Sequence, residues 1–179
     1  MHKWVVLLRG INVGGKNILP MKKLAELLLG LNCKNVQTYI QSGNVLLQHA
    51  ESNGQLLATK ISAQIEQEFA FKPHILLLTQ SEFEQAAANN PYPEAQAEPK
   101  TLHLFFLAED ATEADLDKLS ILKKDSESFV LTERVFYLHA PDGIGRSKLA
   151  EKVEKNLGVP TTARNWNTVS KLLSLAKVD

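Results

Sequence analysis

Val36-Gln37-Thr38-Tyr39-Ile40-Gln41, then Ser42-Gly43-Asn44, then Val45-Leu46-Leu47-Gln48: this stretch decides the fold. From Val36 to Gln41 the side chains alternate, with Val36, Thr38 and Ile40 on one face and Gln37, Tyr39 and Gln41 on the other, the period of a strand. Ser42-Gly43 reads as a hairpin turn into a second strand over Val45–Gln48. Upstream, Lys3–Leu8 reads as a buried strand. Pro20 then stands at a first helical position, and Met21, Leu24, Leu27, Leu28 and Leu31 follow helical spacing up to the stop signal Gly30. Downstream, Leu57, Ile61, Ile65 and Phe69 mark a second helix, and His74–Leu78 another strand. Strand, helix, strand, strand, helix, strand is the split βαβ order of a ferredoxin-like unit.

The remainder repeats this grammar with other letters. Ser81 with Glu84 reads as a capping box opening a short helix that ends at Asn89-Asn90-Pro91. Residues 91–100 carry three prolines and no periodicity, the composition of a connector. Leu102–Leu107 is a strand and Thr112 caps a helix to about Leu119. Ser128–Leu131 and Val135–His139 pair, and Leu149, Val153 and Leu157 define a helix ended by Gly158. Thr161–Ala163 reads as a last strand before a terminal helix capped by Asn165, with Trp166, Val169, Leu172, Leu173 and Ala176 as its buried stripe. The expected fold class is α+β: a ferredoxin-like half over 1–90, a connector over 91–100, and a second ferredoxin-like half over 101–179 with a terminal helix, the two packed together.

The chain has 179 residues, 44% hydrophobic and 22% charged, an ordinary balance for a folded protein rather than a disordered or disulfide-stapled one. No apolar run approaches the roughly 20 residues of a membrane span, so no membrane partner is expected. The single cysteine, Cys33, suits a reducing, cytoplasmic location. Net charge is zero, which argues against coating nucleic acid nonspecifically, but the charges are unevenly placed. Residues 1–34 hold six Lys/Arg against one Glu, and residues 51–133 hold fifteen acids against six bases.

Two loops suit an anion. Arg9-Gly10-Ile11-Asn12-Val13-Gly14-Gly15-Lys16-Asn17 offers glycine amides between two cations. Its spacing approaches a nucleotide P-loop but fails in three respects. Asn17 replaces the hydroxyl residue, Pro20 interrupts the following helix, and the split strand order implies an antiparallel sheet. The second loop, Pro141-Asp142-Gly143-Ile144-Gly145-Arg146-Ser147-Lys148, opens a helix. Cations in a first helical turn are unfavourable unless an anion or an acid such as Asp142 compensates. A third segment, Thr162–Thr168, leaves Arg164 and Asn167 as contacts once capping is assigned to Asn165 and Thr168. The split topology is read as sending both glycine loops from the top ends of their halves, where they meet if the halves pack side by side. The Tyr39–Asn44 hairpin is read at the opposite end of its sheet, which makes Ser42 and Asn44 turn residues first.

Other chemistries find little support. His2, His49, His74, His103 and His139 lack metal-ligand spacing; no metal and no cofactor is expected. Val45-Leu46-Leu47 offers none of the aromatics of an RNA-recognition sheet.

The four motifs Leu7–Gly15, Thr38–Val45, Gly143–Leu149 and Thr162–Thr168, in this order, resemble the bacterial family DUF1697, a domain of unknown function, over essentially the whole chain. The resemblance implies a small cytoplasmic bacterial protein of α+β fold and brings no activity with it. The expected function is binding of a phosphate-bearing ligand: a nucleotide, a phosphorylated metabolite or a nucleic-acid end. Arg9, Gly10, Asn12, Gly14, Gly15, Lys16, Gly145, Arg146, Ser147, Lys148, Arg164 and Asn167 are the candidate contacts. The alternatives are an enzyme on a phosphorylated substrate, with Asp142 and Tyr39 as acid/base groups, and an interaction module that dimerises through sheet edges.

Overall fold

Five consecutive buried residues, Trp4 to Leu8, suit a strand with neighbours on both sides, and β1 (His2–Arg9) takes that place. The computed structural model describes residues 1–178. They form two units: Met1–Gln85 with the chain end from Leu172 on, and Ala86–Lys171.

In the first unit β1 is followed by α1 (Met21–Gly30), β2 (Lys34–Tyr39), β3 (Asn44–His49), α2 (Gly54–Phe69) and β4 (His74–Thr79). The sheet order is β2-β3-β1-β4, antiparallel throughout, which is the ferredoxin-like arrangement. Trp4, Val6, Leu8, Val45 and Leu47 of one sheet face pack against Leu24, Leu27 and Leu28 of α1 and Leu57, Ile61 and Ile65 of α2. Each such aliphatic side chain contributes about 1.5–3 kcal/mol by leaving water. Asn53 starts α2, its Oδ1 accepting from the Gln55 and Leu56 amides at 3.0 and 3.1 Å.

The second unit repeats the order with β5 (Leu102–Leu107), α4 (Leu116–Leu122), β6 (Ser128–Leu131), β7 (Val135–His139), α5 (Lys148–Leu157) and β8 (Thr161–Asn165). Its sheet runs β6-β7-β5-β8, again antiparallel. Phe105, Phe136, Leu138, Leu149 and Val153 centre its core. Phe136 meets Phe105 edge-on at 5.7 Å and stacks on Phe129 at 5.1 Å. α3 (Gln80–Ala88) precedes β5, and α6 (Trp166–Ala176) follows β8 directly. The proline-rich residues between α3 and β5 fold into two 3-10 turns, Pro93–Ala97 and Pro99–Thr101.

Local details depart from the sequence reading where a cap competes. The box opening α3 is Thr79 with Glu82, not Ser81 with Glu84. The Glu82 carboxylate accepts from the Thr79 amide at 2.7 Å, and the Thr79 hydroxyl accepts from the Glu82 amide at 3.1 Å. The strand runs straight into the helix, so its last residue takes the cap position. Likewise Asp115, not Thr112, caps α4, accepting from the Lys118 amide at 3.0 Å.

Candidate functional site

The loop after β1 is a miniature hairpin. Asn12 N–H donates to Asn17 O and Lys16 N–H to Val13 O, both at 3.0 Å. Gly14 and Gly15 form its tip with φ of +57° and +73°, the two positive angles of a type I′ turn, where glycine is at home. The turn bonds only the Lys16 amide internally, so the two glycine amides are left out of it. A Cβ built on either glycine would meet open space. Two asparagines in the left-handed region brace the base. Asn12 Nδ2 donates to Leu19 O (2.9 Å) and Gln41 O (2.8 Å), while its Oδ1 accepts from Leu19 N–H at 2.7 Å. Asn17 Nδ2 donates to Gly10 O at 2.9 Å. The Asn12 side chain is therefore engaged by the protein itself.

The Asn12–Gln41 bond overturns one expectation: the β2–β3 hairpin lies at the same end of the sheet as this loop. β1 and β3 are antiparallel neighbours, with Leu7 opposite Asn44, so the last residues of β1 must lie beside the first of β3. Leu8 N–H donates to Gly43 O at 2.8 Å. Gly43 has φ +87°, and a Cβ there would stand 2.8 Å from both Leu8 Cβ and Ile11 Cδ1, so only glycine fits. Asn44 is buried and its Nδ2 donates to Tyr39 O and Ser42 Oγ at 3.1 and 3.2 Å, a turn role as expected. The start of β4 joins the same end, with His74 opposite Arg9.

Segments 9–23, 39–44 and 70–75 thus share one end of the first sheet. They contain Arg9, Lys16, Lys22, Lys23, Lys72 and His74 and no Asp or Glu; Lys23 pairs with Glu26 at 3.0 Å. Such a collection makes a local positive field on a neutral body. The end also displays aliphatic side chains, Val13 65%, Ile18 55% and Ile40 47% exposed. Alternation places Ile40 on one face with Val36 and Thr38, but the strand stops at Tyr39 and Ile40 enters the turn at φ +48°. A β-branched residue in that region carries strain of about 1–2 kcal/mol. Sequence reasoning missed this residue, because period-two patterning cannot show where a strand ends.

In the second unit the Gly143–Lys148 loop does not leave the end that corresponds to the Gly10 loop. β7 is antiparallel to β5, with Leu102 opposite His139 and Ala140 N–H bonded to Thr101 O at 2.8 Å. The end of the third strand therefore lies beside the beginning of the first. Gly145, Arg146 and Lys148 are exposed, whereas Ser147 is buried as the cap of α5, its Oγ accepting from Ala150 N–H at 3.0 Å. Glu151 supplies the acid in the first turn, and Asp142 accepts from Ser126 Oγ at 2.7 Å.

The Arg164–Asn167 segment sits at this same end, since Asn165 pairs with His103 near the start of β5. Asn165 Oδ1 accepts from Thr168 N–H at 3.1 Å, the expected cap, and Asn167 is exposed. Arg164 is half-buried and donates to Ala163 O at 2.9 Å; burial pulls its guanidinium down to about 10. Beside it in the sheet, His103 has a buried Nδ1 with no hydrogen-bond partner, and burial pulls this imidazole down to about 4. The candidates of each half are thus gathered at one end of their own sheet. Tyr39, half-buried, ends β2. No helix among the described residues is long and apolar enough to cross a membrane.

Comparison with known proteins returns no activity. A conserved bacterial protein from Streptococcus pneumoniae has a similar solved structure, with a TM-score of 0.69 at 25% identity, covering 98% of this chain and 99% of that one. No curated protein matches. The family described as "Protein of unknown function (DUF1697)" matches residues 1–137, a span that holds the Gly10–Lys16 loop and its hairpin and stops short of Gly143; on this match the chain belongs to that family.

Proposed function

We propose that the protein binds a phosphate-bearing ligand at the Gly10–Lys16 end of its first sheet. One observation carries the reading: an outward type I′ turn of two glycines, braced by Asn12 and Asn17, stands among segments that hold cations and no carboxylate. The braced turn supplies amides whose ordering cost is already met by folding, and Lys16 and Arg9 supply charge. Arg146, Lys148, Gly145, Arg164 and Asn167, at one end of the second sheet, form a separate set of candidate contacts within the second unit.

Thermal melting with inorganic phosphate and with nucleoside monophosphates tests this. A ligand at one hundred times its Kd adds about 2.7 kcal/mol of stability, which raises Tm by several degrees. Lys16→Ala is expected to abolish most of that rise. Absence of stabilisation by any anion, or an equal gain in the Lys16→Ala/Arg146→Ala double variant, removes the proposal.

A further inference from the structure

Val13, Ile18 and Ile40 are exposed aliphatic residues at one end of the first unit, and their chemistry narrows the ligand class. Each is the chain neighbour of one of three residues tied together by hydrogen bonds. Val13 follows Asn12, Ile18 follows Asn17, and Ile40 precedes Gln41; Asn12 bonds both Asn17 and Gln41. The three residues therefore sit on segments that are bonded to one another at one end of the unit, exposed by 65%, 55% and 47%. Arg9, Lys16, Lys22 and Lys72 belong to the same end. A Cβ added at Gly10, Gly14 or Gly15 would meet open space.

We infer, resting on the phosphate-binding reading above, that this tip recognises the terminus of a nucleic-acid duplex. A terminal base pair is the place where a duplex exposes a flat apolar face with phosphates around it. Exposed aliphatic side chains among cations are the complement of that surface. Ile and Leu side chains make apolar contact with base faces where they wedge between base steps. A neutral chain with a local positive patch would not coat the length of a duplex, so the base-pair face supplies selectivity for the end. The left-handed backbone that displays Ile40 fits a residue placed for contact rather than for folding.

Fluorescence anisotropy with the full chain decides it. The probes are a short blunt-ended duplex, as DNA and as RNA, and the same sequence closed by loops at both ends. The open duplex is expected to bind roughly tenfold more tightly than the closed one, the worth of partly burying an aliphatic side chain. Ile40→Asn is expected to erase that preference, and its melting temperature, expected at or above the parent's, shows that the loss is not unfolding. Lys16→Ala is expected to reduce the salt slope by about one. Equal affinity for open and closed duplexes, or an end preference that survives Ile40→Asn, overturns the inference. Stabilisation by phosphate or nucleoside monophosphates with no duplex binding also overturns it, while leaving the phosphate-binding proposal standing.

Discussion

The stretch after β1 and the stretch after β5 hold the same place in the same strand order, yet they carry opposite charge. Residues 9–23 bring Arg9, Lys16, Lys22 and Lys23 without an acid, whereas residues 108–117 bring Glu109, Asp110, Glu113, Asp115 and Asp117 without a base. Their construction differs as well. Asparagine side chains and a glycine turn shape the first. The second is held by main-chain bonds, Ala108 N–H to Pro160 O at 2.9 Å and Asp115 N–H to Asn156 O at 2.7 Å. Arg134 adds bonds to the Leu107 and Ala108 carbonyls at 3.1 and 2.9 Å. There Glu109, Asp110, Glu113 and Asp115 border an open cleft of about 590 Å³ with Lys155. The βαββαβ frame fixes where a loop emerges and leaves its chemistry free.

Substitutions that damage one end and spare the other sharpen this contrast. Gly43→Ala strikes hardest, because it meets both a left-handed backbone and overlap with Leu8 and Ile11. A loss of about 4 kcal/mol in urea unfolding is expected, with the phosphate response lost too. Acid strikes the other unit. His103 is buried neutral with its pKa pulled down to about 4, while the unfolded imidazole titrates near 6.5. Its stabilising contribution is complete above pH 6.5 and is lost as pH falls towards 4, by up to about 3 kcal/mol. Denaturant midpoints across that window check this, and His103→Leu is expected to flatten the profile.

A matched pair comes next. Asn12→Ala removes three hydrogen bonds from the first loop and is expected to cost about 2 kcal/mol and weaken the anion response. Arg134→Ala removes two from the acidic end and is expected to cost about 1 kcal/mol with the anion response unchanged. An equal effect of both on binding would break the distinction between the ends. Smallest and opposite in sign, Ile40→Asn is expected to gain about 0.5–1 kcal/mol, since asparagine tolerates the left-handed region far better.

Residue order alone carries the two βαββαβ halves, because buried faces repeat every two residues in strands and every three to four in helices. Ser128–Leu131 with Val135–His139 and the helix ended by Gly158 are legible on those grounds. Residue order likewise shows a glycine-rich loop between Arg9 and Lys16. Folding settled which loops share an end of each sheet, because strand pairing is long-range. It placed the Tyr39–Asn44 hairpin beside the Gly10 loop and sent the Gly143 loop from the far end of its sheet. It also made Asn12 a brace, since the side chain reaches Leu19 and Gln41, and local spacing holds no record of a partner 29 residues away.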